Sequence, residues 1–173
     1  MKRRRKAAGF SVGEFVVYPS HGVGKIEAIE LIKVEEMSGT EMFTISIAQE
    51  ELTLRIPVKR VAQVGLRKLT PPDVMDKTLA TLKGRSRISK AMWSRRAQEY
   101  DQKINSGDVK LLTEVVRDLH RHDQKKEQSY SERQLYAVAI ERLTREVAAV
   151  KRIGAEEAKE VILGCLSARR TRS

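Results

Sequence analysis

The sequence predicts an α+β chain of two domains, a small antiparallel β barrel of SH3 or Tudor type followed by an all-α helical bundle. Three observations carry this expectation. Short β-type runs separated by turn residues occupy residues 10–68. After Leu69 the apolar spacing changes from a period of two to one of 3.6. The basic charge is segregated as well: residues 10–69 hold seven basic and eight acidic side chains, whereas residues 70–173 hold 22 and 15.

In the β part, Phe15-Val16-Val17-Tyr18 is a strand ended by Pro19, and Ser20-His21-Gly22-Val23-Gly24 reads as a tight loop. Residues 25–34 alternate in part, Ser38-Gly39 marks a turn, and residues 42–48 form the next strand. Leu52, Leu54 and Ile56 then alternate with Thr53 and Arg55, so the last two face away from the apolar side. Residues 61–66 are expected as a fifth strand.

In the helical part, Thr70-Pro71-Pro72-Asp73 reads as a helix start with Thr70 as N-cap and Pro71 at N1. A second helix is expected from about Ser89 to Asn105, and a third capped by Asp108. The third presents Leu111, Leu112, Val115, Val116 and Leu119 as a buried stripe. Ser131 and Gln134 form a capping box for a fourth, with Leu135, Val138, Ala139, Leu143 and Val147 facing inward. Gly154 separates it from a last helix over 155–166. The domain boundaries are accordingly 10–68 and 69–167, between basic tails at 1–9 (expected unfolded) and 168–173.

The formal net charge of +11 points to a polyanionic partner. Enzyme chemistry finds no support. Cys165 is the only cysteine, too few for an internal disulfide or a thiolate zinc site. His120 and His122 would point about 200° apart on a helix, and read as solvated helix-end side chains. Gly22-Val23-Gly24-Lys25 lacks the spacing of a phosphate loop. No nucleophile–base set stands out. No apolar run approaches the ~18 residues of a membrane span, and a reducing cytoplasm is the expected setting. No cofactor, metal or small-molecule substrate is expected.

Residues 83–103 concentrate the function. Lys83, Arg85, Arg87, Lys90, Arg95, Arg96 and Lys103 are opposed there only by Glu99 and Asp101, and the only tryptophan, Trp93, sits among them. Basic side chains attract phosphates and release counterions, while a flat apolar ring can stack on a base or wedge into an opened step. A lone tryptophan in a helical domain is more commonly core. Trp93 shares a helical face with Arg96, Ala97 and Tyr100, whereas Met92, Ala97, Tyr100 and Ile104 could form the buried stripe, and spacing alone does not decide between these.

The stretch from Phe10 to Ile26, with Gly13, Tyr18-Pro19, His21-Gly22 and Gly24 in register, resembles the opening of CarD-type (CarD/CdnL) transcription regulators. Trp93-Ser94-Arg95-Arg96, Lys103-Ile104-Asn105-Ser106-Gly107-Asp108, Glu114-Val115-Val116-Arg117-Asp118-Leu119, Ser131-Glu132-Arg133 and the Leu143–Glu146 region continue the resemblance in order. It implies a Tudor-like RNA polymerase-interacting module, shared with transcription-repair coupling factor, that binds the polymerase β subunit. It further implies a helical domain on promoter DNA at the upstream fork of the bubble, with Trp93 as a wedge that prolongs the open complex. The DNA-binding set expected is Trp93, Arg95, Arg96, Lys90, Arg85, Arg87 and Lys103. The polymerase-binding set is Arg55, Ile32, Lys33, Val34 and Thr53, with Arg55 on a strand position that matches the family. The chain would act as a monomer associated with the nucleoid. A stand-alone nucleoid-associated or RNA-binding protein is the competing reading, against which the near-neutral barrel argues.

Overall fold

The computed structural model describes residues 5–34, 37–120 and 129–168, in two compact units, Met1–Leu69 and Thr70–Ser173. In the first, β3 (Phe15–Tyr18), β4 (Gly22–Val34), β5 (Met37–Ile47), β6 (Leu52–Pro57) and β7 (Arg67–Lys68) build an antiparallel sheet of order β6-β5-β4-β3-β7. A two-stranded ladder joins β1 (Lys6–Ala7) to β2 (Phe10–Ser11). The five-stranded sheet is open, not the closed barrel the sequence suggests: its edges are β6 and β7, and β7 has only two residues to offer in pairing.

Cross-strand register places one apolar row over another. Ile26 pairs with Ile45, which pairs with Leu54; Ile29 pairs with Phe43, which pairs with Ile56. Ile26, Phe43 and Ile45 are fully buried, so the period-two pattern of these strands is the pattern of one core face. Gly24 lies within β4 and not in the turn before it. A Cβ there would approach Ile45 Cγ2 to 2.7 Å, which explains glycine at that position. Gly22 does take the left-handed turn conformation, at φ 88°.

Two expectations in this unit are corrected. The tail read at 1–9 is not wholly unfolded: Lys6–Ala7 pair with Phe10–Ser11, and Arg5 donates to the Ile29 carbonyl and to Glu41 Oε1. Residues 1–4 lie outside the described residues. Residues 61–66 are not a strand. Val61–Val64 form the short helix α1, ended by Gly65 at φ 78°, because Val61 and Val64 one turn apart can both reach the core.

The second unit contains α2 (Pro72–Ala80), a 3-10 turn at Thr81–Lys83, α3 (Trp93–Asn105), α4 (Val109–Leu119), α5 (Tyr130–Lys151) and α6 (Ala155–Ser167). Its core holds Met75, Leu82, Tyr100, Ile104, Leu112, Val115, Val116, Leu119, Leu143, Val147 and Ile162. Asp108 caps α4 as its sequence suggests, accepting from the amides of Lys110 and Leu111. Thr70 does not cap α2. Its amide and hydroxyl both donate to the buried carboxylate of Glu146, so Pro71 takes the N-cap and Pro72 becomes N1. The cap of α5 is Ser129, which accepts from the Glu132 amide. This pair precedes Ser131 and Gln134 by two residues, and places an anionic side chain in the first turn, where the helix dipole favours it. Val138, expected inward, is 40% exposed.

Candidate nucleic-acid interface

The expected second helix begins at Trp93, four residues later than its periodicity suggests. The segment before it is held by both long-range and local bonds. Gly84 leaves the 3-10 turn in an extended conformation. The chain after it is then fastened to the end of α4: Ser86 Oγ donates to the Arg117 carbonyl at 3.0 Å, and the Arg87 amide donates to Asp118 Oδ1 at 2.9 Å. Asp118 is buried and also accepts from Arg117 Nε at 2.9 Å. Within 89–92 itself, Ser89 Oγ accepts the Ala91 amide at 3.1 Å, a local turn that competes with the helix. Residues 84–92 therefore form a basic loop laid over the bundle, with Met92 as the N-cap of α3.

The seven cations of residues 83–103, six of them expected to grip DNA, fall into different settings. Lys83, Arg85, Arg87 and Lys90 are exposed and make no ion pair among the described residues, Lys83 being the one the expected contact set leaves out. Arg95 is exposed and loosely paired with Glu99 one turn on, at 3.7 Å. Lys103 is half-buried, its Nζ 3.4 Å from Glu114 Oε2, so it ties α3 to α4. Arg96 is half-buried and folds back over two rings, its guanidinium 5.3 Å from the Trp93 centroid and 5.7 Å from that of Tyr100.

Trp93 is neither fully buried nor fully exposed. It packs against the edge of the helical core, its ring 6.3 Å from that of Tyr100 and tilted 45° to it. Tyr100 and Ile104 carry the buried stripe of α3. Met92, a candidate for that stripe by spacing, is instead 80% exposed, because an N-cap residue with ψ 150° lies outside the helical wheel. Ile88 in the basic loop is also exposed. An exposed Met92 next in sequence to a half-covered indole, after a loop of exposed cations, is chemistry that suits an unstacked base step bordered by phosphates. Sequence reasoning missed Met92 and Ile88 as surface residues and Asp118 as the loop's anchor. Asp118 carried a signal, an acid at the end of an otherwise apolar helical stripe.

On the first unit, β6 is a sheet edge and carries exposed Thr53 and Arg55. Arg55 pairs with Thr44 and that residue with Ala28; Thr40 pairs with Ile32. Counting by twos along the strands puts Thr53, Arg55, Thr44, Met42 and Ile32 on the face opposite Ile45 and Phe43. The structure thus brings Arg55, Thr53 and Ile32 to one side of the sheet. The side chains of Lys33 and Val34 lie outside the described residues.

His21 and His120 are tied into the fold. His21 Nδ1 is 2.6 Å from Glu50 Oε2. His120, expected to be solvated, is half-buried with Nδ1 2.6 Å from the Tyr136 hydroxyl; His122 lies outside the described residues. Among the described residues no group of three or more His, Cys, Asp or Glu side chains could hold a metal ion, and no helix is long and apolar enough to cross a membrane.

Comparison with known proteins agrees with this division. Residues 77–163 match the family model of the CarD C-terminal domain, and residues 10–70 match that of the CarD-like/TRCF RID domain. A Bacillus subtilis (strain 168) protein named "Putative transcription factor YdeB" is 28% identical over 150 residues, which cover 87% of this chain and 97% of that protein.

Proposed function

We propose, from the premise that the chain belongs to the CarD family of transcription regulators, that it holds RNA polymerase through its β unit and stabilises the open promoter complex through its helical unit. The polymerase contact is assigned to the β subunit and to the Arg55, Thr53 and Ile32 face. The DNA contact is assigned to the upstream edge of the bubble and to the loop and N-terminus of α3.

One observation carries this reading: Trp93 is half-covered and Met92 is 80% exposed at a helix start that follows a loop of unpaired cations. A base in duplex is stacked on both sides and offers no apolar face. A base at a fork offers one. The helix start therefore gains contact with melted strands that it lacks with paired ones, and only such a difference in affinity moves the closed–open equilibrium. A difference of ~1.4 kcal/mol changes the open-to-closed ratio tenfold. Tethering through the β unit keeps the helix start at high local concentration, so its own affinity for DNA need not be large.

The test is open-complex lifetime at a promoter whose complex decays measurably, with Trp93→Ala beside the unsubstituted protein. The variant should still co-purify with polymerase and shorten the lifetime. An unchanged lifetime sinks the wedge role. Failure of the unsubstituted protein to co-purify with polymerase would favour the stand-alone nucleic-acid binder.

A further inference from the structure

We infer that Arg96 is a positioning residue for the Trp93 indole, and that its job is done by its planar guanidinium rather than by its charge. The inference rests on the proposed role of Trp93 but is drawn from separate observations. The guanidinium sits 5.3 Å from the Trp93 centroid and 5.7 Å from the Tyr100 centroid, bridging two rings 6.3 Å apart. Nη2 donates to the Tyr100 hydroxyl at 3.3 Å. Nε is buried with no hydrogen-bond partner. A buried, unsatisfied N–H is costly, and a side chain serving only as a phosphate clamp would turn that atom to solvent. Arg96 retains the geometry because the rings hold it there. Arg95, next along the helix, is exposed and lies along the outer face with Glu99.

The consequence is mechanical. Trp93 is the first residue of α3 and has no helical turn before it to pack against. Tyr100, two turns on, is fixed in the core. Arg96 lies against both and links the half-covered ring at the edge of the core to the buried one. A lysine carries the same charge, but its ammonium has no flat face to lie against the indole and no fork. Arg96→Lys should therefore behave like Arg96→Ala at the indole, whereas at a phosphate-only site it would behave like arginine.

Because Trp93 is the only tryptophan in the chain, its fluorescence reports this site alone. In the full-length protein without DNA, Arg96→Lys and Arg96→Ala should both raise the acrylamide quenching constant and lower the steady-state anisotropy. Their affinity for a forked promoter duplex should fall by roughly two- to five-fold, the range of a surface cation–π contact. Arg95→Lys should leave the quenching constant and the anisotropy unchanged, because Arg95 lies away from the indole beside Glu99. Tyr100→Phe keeps the ring and removes the hydroxyl that accepts from Arg96 Nη2, and should raise quenching above that of the unsubstituted protein, a check that stands even if an Arg96 variant folds poorly. Equal quenching and equal forked-DNA affinity for Arg96→Lys and the unsubstituted protein would overturn the inference. If the unsubstituted protein fails to prefer forked over closed duplex, the proposed function fails. The quenching comparison then decides the positioning role by itself.

Discussion

Asp118 Oδ1 accepts the backbone amide of Arg87 at 2.9 Å, across 31 residues of sequence, and so fixes the basic loop to the end of α4. The same oxygen receives Arg117 Nε, on a side chain 12% exposed. One carboxylate therefore neutralises a nearly buried cation and anchors the segment that presents Arg85, Arg87 and Lys90.

Asp118→Ala should destabilise the helical unit by about 3 kcal/mol, the range for removing one partner of a buried pair. Asp118→Asn can still accept from the Arg87 amide and should cost about half as much. Urea denaturation measures both. Hydrogen exchange supplies the site-specific check: the Arg87 amide should lose protection in the alanine variant while the amides of α5 keep theirs. Equal exchange at Arg87 in variant and parent would show that Asp118 does not order the loop.

Met92→Ala should leave stability unchanged, because the side chain is 80% exposed, and should weaken binding to forked DNA by about fivefold, the order expected when part of one methionine side chain is buried against a base. Affinity for closed duplex should not change. Titration of the two DNA forms with parent and variant makes the comparison. A loss of equal size on both forms would assign Met92 to general contact and leave fork discrimination to Trp93 alone.

The division into a β part and a helical part was legible because burial on one face imposes a period, and the period changes once. Ile26, Ile29, Phe43, Ile45 and Ile56 are the buried face of a sheet; Leu112, Val115, Val116 and Leu119 are the buried stripe of a helix. Starts and ends were less legible where a long-range partner decides them. Thr70 has the chemistry of a cap, but Glu146, 76 residues away, takes its hydroxyl. At residues 89–92 a local turn, Ser89 Oγ accepting the Ala91 amide, competes with the helix, and the loop before them is held by Asp118 and the Arg117 carbonyl. In the segment proposed to meet DNA, composition shows the cations but not the setting of each. Lys103 and Arg96 count as cations in any tally; only packing assigns one to Glu114 and the other to an indole.

Arg55→Glu should weaken co-purification with polymerase at least tenfold, since charge reversal in a contact costs more than truncation. Arg55 is exposed on the edge strand β6 and makes no ion pair among the described residues. The melting temperature should accordingly stay within the small range of surface substitutions. Pull-down of the β subunit with parent and variant, beside a thermal melt of each, reads both outcomes. Undiminished pull-down would move the polymerase contact away from the Arg55, Thr53 and Ile32 face.

The salt dependence of DNA binding separates the cations that meet phosphate from those that build the fold. Each phosphate neutralised adds about 0.9 to the slope of log affinity against log salt on duplex DNA. Arg85→Ala, Arg87→Ala and Lys90→Ala should each reduce that slope by about one such increment, because these side chains are exposed and unpaired in the loop. Lys103→Ala should leave the slope nearly unchanged, since Glu114 already compensates that charge at 3.4 Å. Its effect belongs to stability, at about 0.5 kcal/mol for a partly exposed pair. The informative measurement is the pair of slopes for Lys90→Ala and Lys103→Ala on one duplex over one salt range. If Lys103→Ala flattens the slope as much as Lys90→Ala does, then α3 offers its inner edge to the backbone as well as its start, and the nucleic-acid surface extends along the helix toward Asn105 rather than ending at the loop and the indole.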